Sequence, residues 1–219
     1  MARATLTISS KNYSSWCLRG WLMCKWVGLD FDEQVVSADD PSVRAELLLQ
    51  SSSIRVPTLT HNGIPIWDTL AIGEYLNELY PKAGLLPSEP AARARCRSIC
   101  GEMHSGFAAL RSALPVNLKS TKPNFVVWSA AQADIDWILK NIWHECFARW
   151  KGPYLFGESL TMADAMYAPV CTRFRTYCVK LDPEAAAYCG RIMNLPTMVE
   201  WIEAAMLEPE EMPELDAEF

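Results

Sequence analysis

The spacing of apolar residues changes once along this chain, close to residue 81. Before that point short alternating runs and helical runs take turns; after it only helical spacing remains. Leu6 to Ile8 reads as a strand. Across residues 15–27, Leu18, Leu22 and Trp26 recur at helical spacing, and Gly28 supplies the stop. Gln34 to Val36 reads as a second strand, and Pro41 to Leu49 as a helix with proline in its first turn. Thr58 to Leu59 and Ile64 to Ile66 flank Asn62-Gly63, a hairpin signal. Asp68 then caps a helix carrying Ile72, Tyr75, Leu76 and Leu79, which stops at Pro81. The predicted order is β-α-β-α-β-β-α.

Residues 81–90 hold three prolines and a glycine, the best linker in the chain. It divides an α/β unit over residues 1–80 from an all-α unit over 91–219. In the second unit Cys100, Met103, Phe107, Leu110 and Leu114 mark one buried helix stripe, and Ala131, Ile135, Ile138, Ile142 and Cys146 another. These predict two long antiparallel helices, with Pro115 kinking or ending the first. Thr161 and Asp164 have capping-box spacing, with Leu160 as the staple residue. Shorter helices follow over 183–191 and 196–206.

Composition narrows the class. Half of the residues are hydrophobic and 21% are charged, as in ordinary globular proteins. The net charge of −6 comes without a basic stripe, so nucleic acid is not an expected partner. Acids gather from Glu208 to Glu218, which reads as a solvated, partly disordered end. Neither a signal peptide nor a membrane span is expected. The eight cysteines and three histidines lack the paired spacing of a zinc site. Reduced, mostly buried cysteines in a cytoplasmic protein, with no metal, are the expectation.

Chemistry concentrates in Asn12-Tyr13-Ser14-Ser15-Trp16-Cys17-Leu18-Arg19, between the first strand and the first helix. Two hydroxyls there meet the free N–H groups and positive dipole end of a helix, a setting that favours an anion. Serines ahead of an apolar run also serve as plain N-caps. Two further motifs follow in order, Ile54-Arg55-Val56-Pro57-Thr58-Leu59 and Ile66-Trp67-Asp68-Thr69-Leu70-Ala71-Ile72. With Leu160-Thr161-Met162-Ala163-Asp164 far downstream, the four pieces make the chain resemble the cytosolic glutathione transferases of serine type (bacterial, zeta-, tau- or theta-like).

The resemblance implies a thioredoxin-like domain over residues 4–80, an all-helical second domain, and glutathione as co-substrate. Ser14, five residues before Arg19, matches the catalytic serine; a register shifted by one selects Ser15. A hydroxyl donor at a helix start stabilises a thiolate by roughly 1–3 kcal/mol from each of hydrogen bond and dipole, enough to lower a thiol pKa by one or two units. Asn12 and Tyr13 would line the sulfur pocket. Val56-Pro57 matches the family's cis-proline clamp on the glutathione backbone. Thr69 suits the γ-glutamyl carboxylate, Asp68 the ammonium, and Arg55 the glycyl carboxylate. Arg19 reads as part of a salt bridge inside its domain.

A mainly hydrophobic co-substrate pocket between the domains would draw on Trp16, Met103, His104, Phe107, Arg111, Tyr167 and Phe174, with Tyr177 a further candidate. Arg173 and Arg175 join Arg111 as possible carboxylate partners. The family also implies a homodimer and a detoxification role, the thiolate attacking a small hydrophobic electrophile. Other readings stay open. A zeta-like isomerase fits the Ser-Ser pair, but Trp16 stands where that class has cysteine. A thiol-disulfide reductase needs a cysteine at the helix start, and Cys17 lies a turn too far in. A non-catalytic carrier or protein-binding module is the third alternative.

Overall fold

The computed structural model describes residues 4–37, 56–209 and 212. The expected helix Pro41–Leu49 and Arg55 lie outside them. Strands β1 (Ala4–Ile8), β2 (Phe31–Val35), β3 (Thr58–His61) and β4 (Ile64–Ile66) form one sheet in the order β2-β1-β3-β4. β1 runs parallel to β2 and antiparallel to β3, and β3 pairs antiparallel with β4. Helices α1 (Ser15–Trp26) and α2 (Thr69–Leu79) belong to this unit. The mixed sheet with its crossover helix is the thioredoxin-like arrangement that the periodicity predicts. β2 begins three residues earlier than its apolar residues suggest. It is an edge strand whose last three residues are exposed, so pairing Ala4 with Phe31 through Ile8 with Val35 sets its limits, not burial.

Beyond the linker come α3 (Pro90–Ser105), α4 (Ala108–Ala113), α5 (Ser129–Trp137), α6 (His144–Trp150), α7 (Met162–Thr176), α8 (Pro183–Met193) and α9 (Pro196–Leu207), with a π-helical stretch Ile138–Trp143 joining α5 to α6. The first expected long helix is broken at Gly106–Phe107, well before Pro115. Gly106 is extended, and Phe107 is left-handed at φ 58°. One long-range contact and the side chain of Arg111 hold the break. Asp134 Oδ2 accepts from Leu110 N at 2.9 Å, and the Arg111 guanidinium donates to the carbonyls of Gly106 and Met103. That guanidinium satisfies carbonyls which a helix end leaves unpaired. No pattern of apolar residues encodes such a stop.

α7 is the axis of the helical unit and is buried along almost its whole length. It packs against α1, so one hydrophobic core runs through both units. The eight cysteines are free thiols; all are buried except Cys178. Among the described residues no helix is long and apolar enough to cross a membrane, and no group of three or more His, Cys, Asp and Glu could hold a metal. The acidic end departs from expectation at its first residue: Glu208 is half-buried and bonded, and Met212 is fully buried.

Candidate functional site

The site is built from the starts of α1 and α2, with the end of α3 brought against them. Ser14 is the N-cap of α1, with φ −89° and ψ 101°, and its Oγ accepts from Cys17 N at 3.2 Å. That bond uses a lone pair and leaves the hydroxyl proton available to donate. Ser15 begins the helix, and its Oγ lies 3.5 Å from Arg19 Nη1. Both serines are buried.

The Val56–Pro57 peptide is cis, as the resemblance implied. Pro57 sits directly on α1 at Gly20, where an added Cβ would come within 2.9 Å of its Cγ. Only a residue without a side chain lets the proline loop approach α1 so closely. The Trp67–Asp68 peptide is also cis. Asp68 caps α2, with Oδ1 accepting from Leu70 N at 2.8 Å and Ala71 N at 3.2 Å. Its other oxygen lies 3.8 Å from His104 Nε2. Thr69, first residue of α2, is fully buried, and its Oγ1 has no hydrogen-bond partner among the described residues.

His104 ties the two helix starts together. Its ring stands edge-on to Trp16 with centroids 5.1 Å apart. Burial pushes its pKa down, Asp68 pulls it up, and Arg19 and Arg111 push it down again; the balance is below the ordinary value. Trp16 itself lies between two guanidinium groups, Arg19 at 4.6 Å and Arg111 at 4.8 Å from its ring centroid. Its Nε1, His104 Nδ1 and Arg111 Nη1 are all buried without a hydrogen-bond partner among the described residues.

The arginines are not where an intradomain salt bridge would put them. Arg19 Nε donates to the Met166 carbonyl of α7 at 2.8 Å, tying the two units together, and no carboxylate among the described residues pairs with it. Burial, then the charges of Arg111 and Arg173, lower its pKa. Burial brings Arg111 down to about 10, and burial with Arg111 brings Arg173 down to about 9. Arg173 Nη1 donates to the Leu114 and Arg111 carbonyls. Arg175 Nη2 donates to the Leu118 carbonyl at 2.9 Å, so it too serves the backbone.

Other expected residues are engaged by the core or by the loops around the site. Tyr167 is fully buried in the hydrophobic core, donates its hydroxyl to the Ile99 carbonyl at 3.1 Å and packs on Trp143. Phe174 packs on the same Trp143 and is core as well. Tyr177 bonds the Pro115 carbonyl. Met103 and Phe107 are buried at the α3 end, where the Met103 carbonyl and sulfur seat Arg111. Asn12 spends its Oδ1 on Leu118 N at 2.8 Å and Lys119 N at 3.1 Å, anchoring the loop before Ser14 to the helical unit. Tyr13 accepts from Met212 N at 3.1 Å. Absent from the sequence reading is Glu208, which holds this same loop; its partners are almost 200 residues away, and a run of acids gives no sign of it.

The chain matches two family descriptions, "Glutathione S-transferase, N-terminal domain" over residues 13–79 and "Glutathione S-transferase, C-terminal domain" over residues 90–204. It is 28% identical over 178 residues to a probable maleylacetoacetate isomerase of Caenorhabditis elegans, covering 77% of this chain and 78% of that one. It is 25% identical over 190 residues to a stringent starvation protein A homologue of Coxiella burnetii, covering 86% of each. A Burkholderia glutathione transferase homologue solved with bound glutathione has a similar fold, with a TM-score of 0.68 at 23% identity over 94% of this chain and 99% of that one. The second match alone spans more than half of the sequence, and the two fall on the two units of the fold: the chain belongs to the glutathione S-transferase family.

Proposed function

We propose that this protein is a glutathione transferase in which Ser14 holds the glutathione thiolate for attack on a small electrophile. The observation that carries the reading is the state of the hydroxyls at the two helix starts. Ser14 has an unspent proton at the first turn of α1, and the buried Thr69 hydroxyl has no hydrogen-bond partner among the described residues. A native fold rarely buries such a group without a use for it. Thr69 and the first turn of α2 would take the γ-glutamyl carboxylate, Asp68 the ammonium, and Val56 the cysteinyl backbone beside the cis proline. The Ser14 hydroxyl then donates to the sulfur, and the helix dipole adds to its effect. In conjugation a carbon–sulfur bond forms while the leaving group departs with its electron pair. A cytoplasmic homodimer with a detoxification role completes the reading.

A second reading is favoured by the charge around Trp16. Arg19 and Arg111 are buried without a carboxylate partner among the described residues, which costs on the order of several kcal/mol per ion unless an anion enters. An electrophile bearing a carboxylate would supply it. Glutathione-dependent isomerisation suits such a substrate. The thiolate adds to a double bond, the resulting single bond rotates, and expulsion of the thiolate restores the double bond with no net oxidation. Trp16 in place of a cysteine separates this chain from the zeta pattern. A purely binding role is the third reading, and retention of Ser14, Val56-Pro57 and Asp68-Thr69 argues against it.

Ultraviolet difference titration of bound glutathione tests the reading. In the wild type the thiol is expected to titrate about one to two units below its free value. Ser14→Ala is expected to abolish that shift and Ser15→Ala to leave most of it. Loss only in Ser15→Ala moves the thiolate contact one residue along. A wild type that binds no thiolate overturns the enzymatic reading.

A further inference from the structure

Glu208 stands just past the end of α9, yet its hydrogen bonds go to the loop between β1 and α1. One carboxylate oxygen accepts from Lys11 N at 2.6 Å; the other accepts from Asn12 N at 3.0 Å and from Ser10 Oγ at 2.7 Å. Consecutive backbone N–H groups converging on one anion form a concave seat of the kind that otherwise takes a phosphate or carboxylate ligand. Here the chain provides its own anion.

That loop ends at Ser14, and its geometry passes directly into the serine. Ser10 Oγ, held by Glu208, also accepts from Asn12 N at 3.1 Å and Tyr13 N at 3.2 Å. The Ser10 carbonyl accepts from Ser14 N at 3.0 Å. The loop is fastened at further points: Trp201 Nε1 donates to the Lys11 carbonyl at 3.0 Å, and Met212 N donates to the Tyr13 hydroxyl. Lys119 Nζ reaches the Glu208 carbonyl, so the helical unit also fixes Glu208 itself. Most of these fastenings come from the last stretch of the chain.

We propose that Glu208 is a positioning residue for Ser14, setting the loop so that the serine hydroxyl meets the glutathione sulfur at the start of α1. This inference rests on the transferase reading above. The role is geometric: by charge alone, a carboxylate near a developing thiolate opposes it. The two effects therefore predict opposite outcomes. If geometry dominates, removing the carboxylate weakens the thiolate; if charge dominates, removal strengthens it.

The test compares the full-length wild type with Glu208→Ala, Glu208→Gln and a control, Glu200→Ala, which breaks an exposed ion pair between Glu200 of α9 and Lys25 of α1. Readouts are the pKa of bound glutathione, steady-state kinetics with a chlorodinitrobenzene electrophile, and hydrogen exchange of the Lys11 and Asn12 amides. Glu208→Ala is expected to raise the bound thiol pKa by about one unit and lower kcat about tenfold, with KM for glutathione changed less than about threefold. Both amides should lose protection. Glu208→Gln, which keeps one acceptor oxygen, should recover part of both effects, and Glu200→Ala should change nothing. An unchanged or lowered thiol pKa in Glu208→Ala overturns the proposal. So does a rate loss that merely follows the unfolded fraction while the remaining sites titrate as wild type. If the wild type binds no thiolate, the transferase reading fails. Amide exchange then decides the loop separately: protection lost in Glu208→Ala keeps the clamp, and protection retained removes it.

Discussion

The starts of α2 and α7 use the same residue types and reach opposite ends. At α7 a hydroxyl and an acid close on each other. Asp164 Oδ2 accepts from Thr161 N at 2.8 Å and Thr161 Oγ1 at 2.9 Å, while Oδ1 accepts from Leu155 N at 3.1 Å and Tyr188 OH at 3.0 Å. Burial pushes the Asp164 carboxyl up and these bonds pull it back, the balance lying above its ordinary value. At α2 the acid is half-buried and caps two amides, but the adjoining Thr69 hydroxyl is buried and unmatched. A helix start whose polar groups are all used is structure. One that leaves a buried group open is prepared for a ligand.

Removing the acid from the closed start should have the largest effect. Asp164→Ala strands the Leu155 amide and the Tyr188 hydroxyl in the core, so a loss of about 3–5 kcal/mol in urea unfolding is expected. Glutathione binding should disappear only in step with the folded fraction. A variant that stayed within about 1 kcal/mol of wild type would show that the capping box is dispensable.

At the open start the balance reverses. Thr69→Val keeps the shape and removes only the unmatched hydroxyl, so stability should hold or rise by a few tenths to about 1 kcal/mol. Glutathione affinity, read by calorimetry, should fall about tenfold, the equivalent of roughly 1.4 kcal/mol. Equal affinity in the variant would mean that this hydroxyl is not a ligand contact, and the contrast between the two helix starts would collapse.

The smallest effect concerns two histidines of opposite sign. His104, at the site, has its pKa lowered chiefly by burial. Its neutral form is favoured in the fold, so its contribution is complete above the ordinary value near 6.5 and declines as pH falls through the lowered one. His144 lies 2.9 Å from both Asp182 and Glu184 at the start of α8. Burial lowers its pKa, the two carboxylates raise it, and the balance is upward. Its contribution is complete below about 6.5 and is lost as pH rises through the raised value. Urea midpoints across this range should therefore respond with opposite slopes to His104→Gln and His144→Gln. Slopes of the same sign would contradict the site's electrostatics.

Much of the site was legible because its signals are local. Ser14 as a helix start, the Asn62-Gly63 hairpin, Asp68 ahead of α2 and the Thr161–Asp164 box each depend on groups within four residues. The pocket wall was less legible. Tyr167 and Phe174 carry helical spacing that fits a cleft or a core equally well, and α7 turned out buried on nearly every side. For Arg19 the sequence shows a charge without its distant partner, a backbone carbonyl of α7 and not an acid of its own domain.

By itself the sequence determined the order of strands and helices among the described residues and the capped helix starts. Hydrophobic period and side-chain caps act over one or two turns, a range that a string of residues records. Only the tertiary structure decided where α3 stops, which arginines lose their water without gaining an acid, and that Glu208 reaches across the chain to Ser10, Lys11 and Asn12. Those outcomes depend on which distant groups packing brings within hydrogen-bond reach. A buried polar group must then take the partner it finds there.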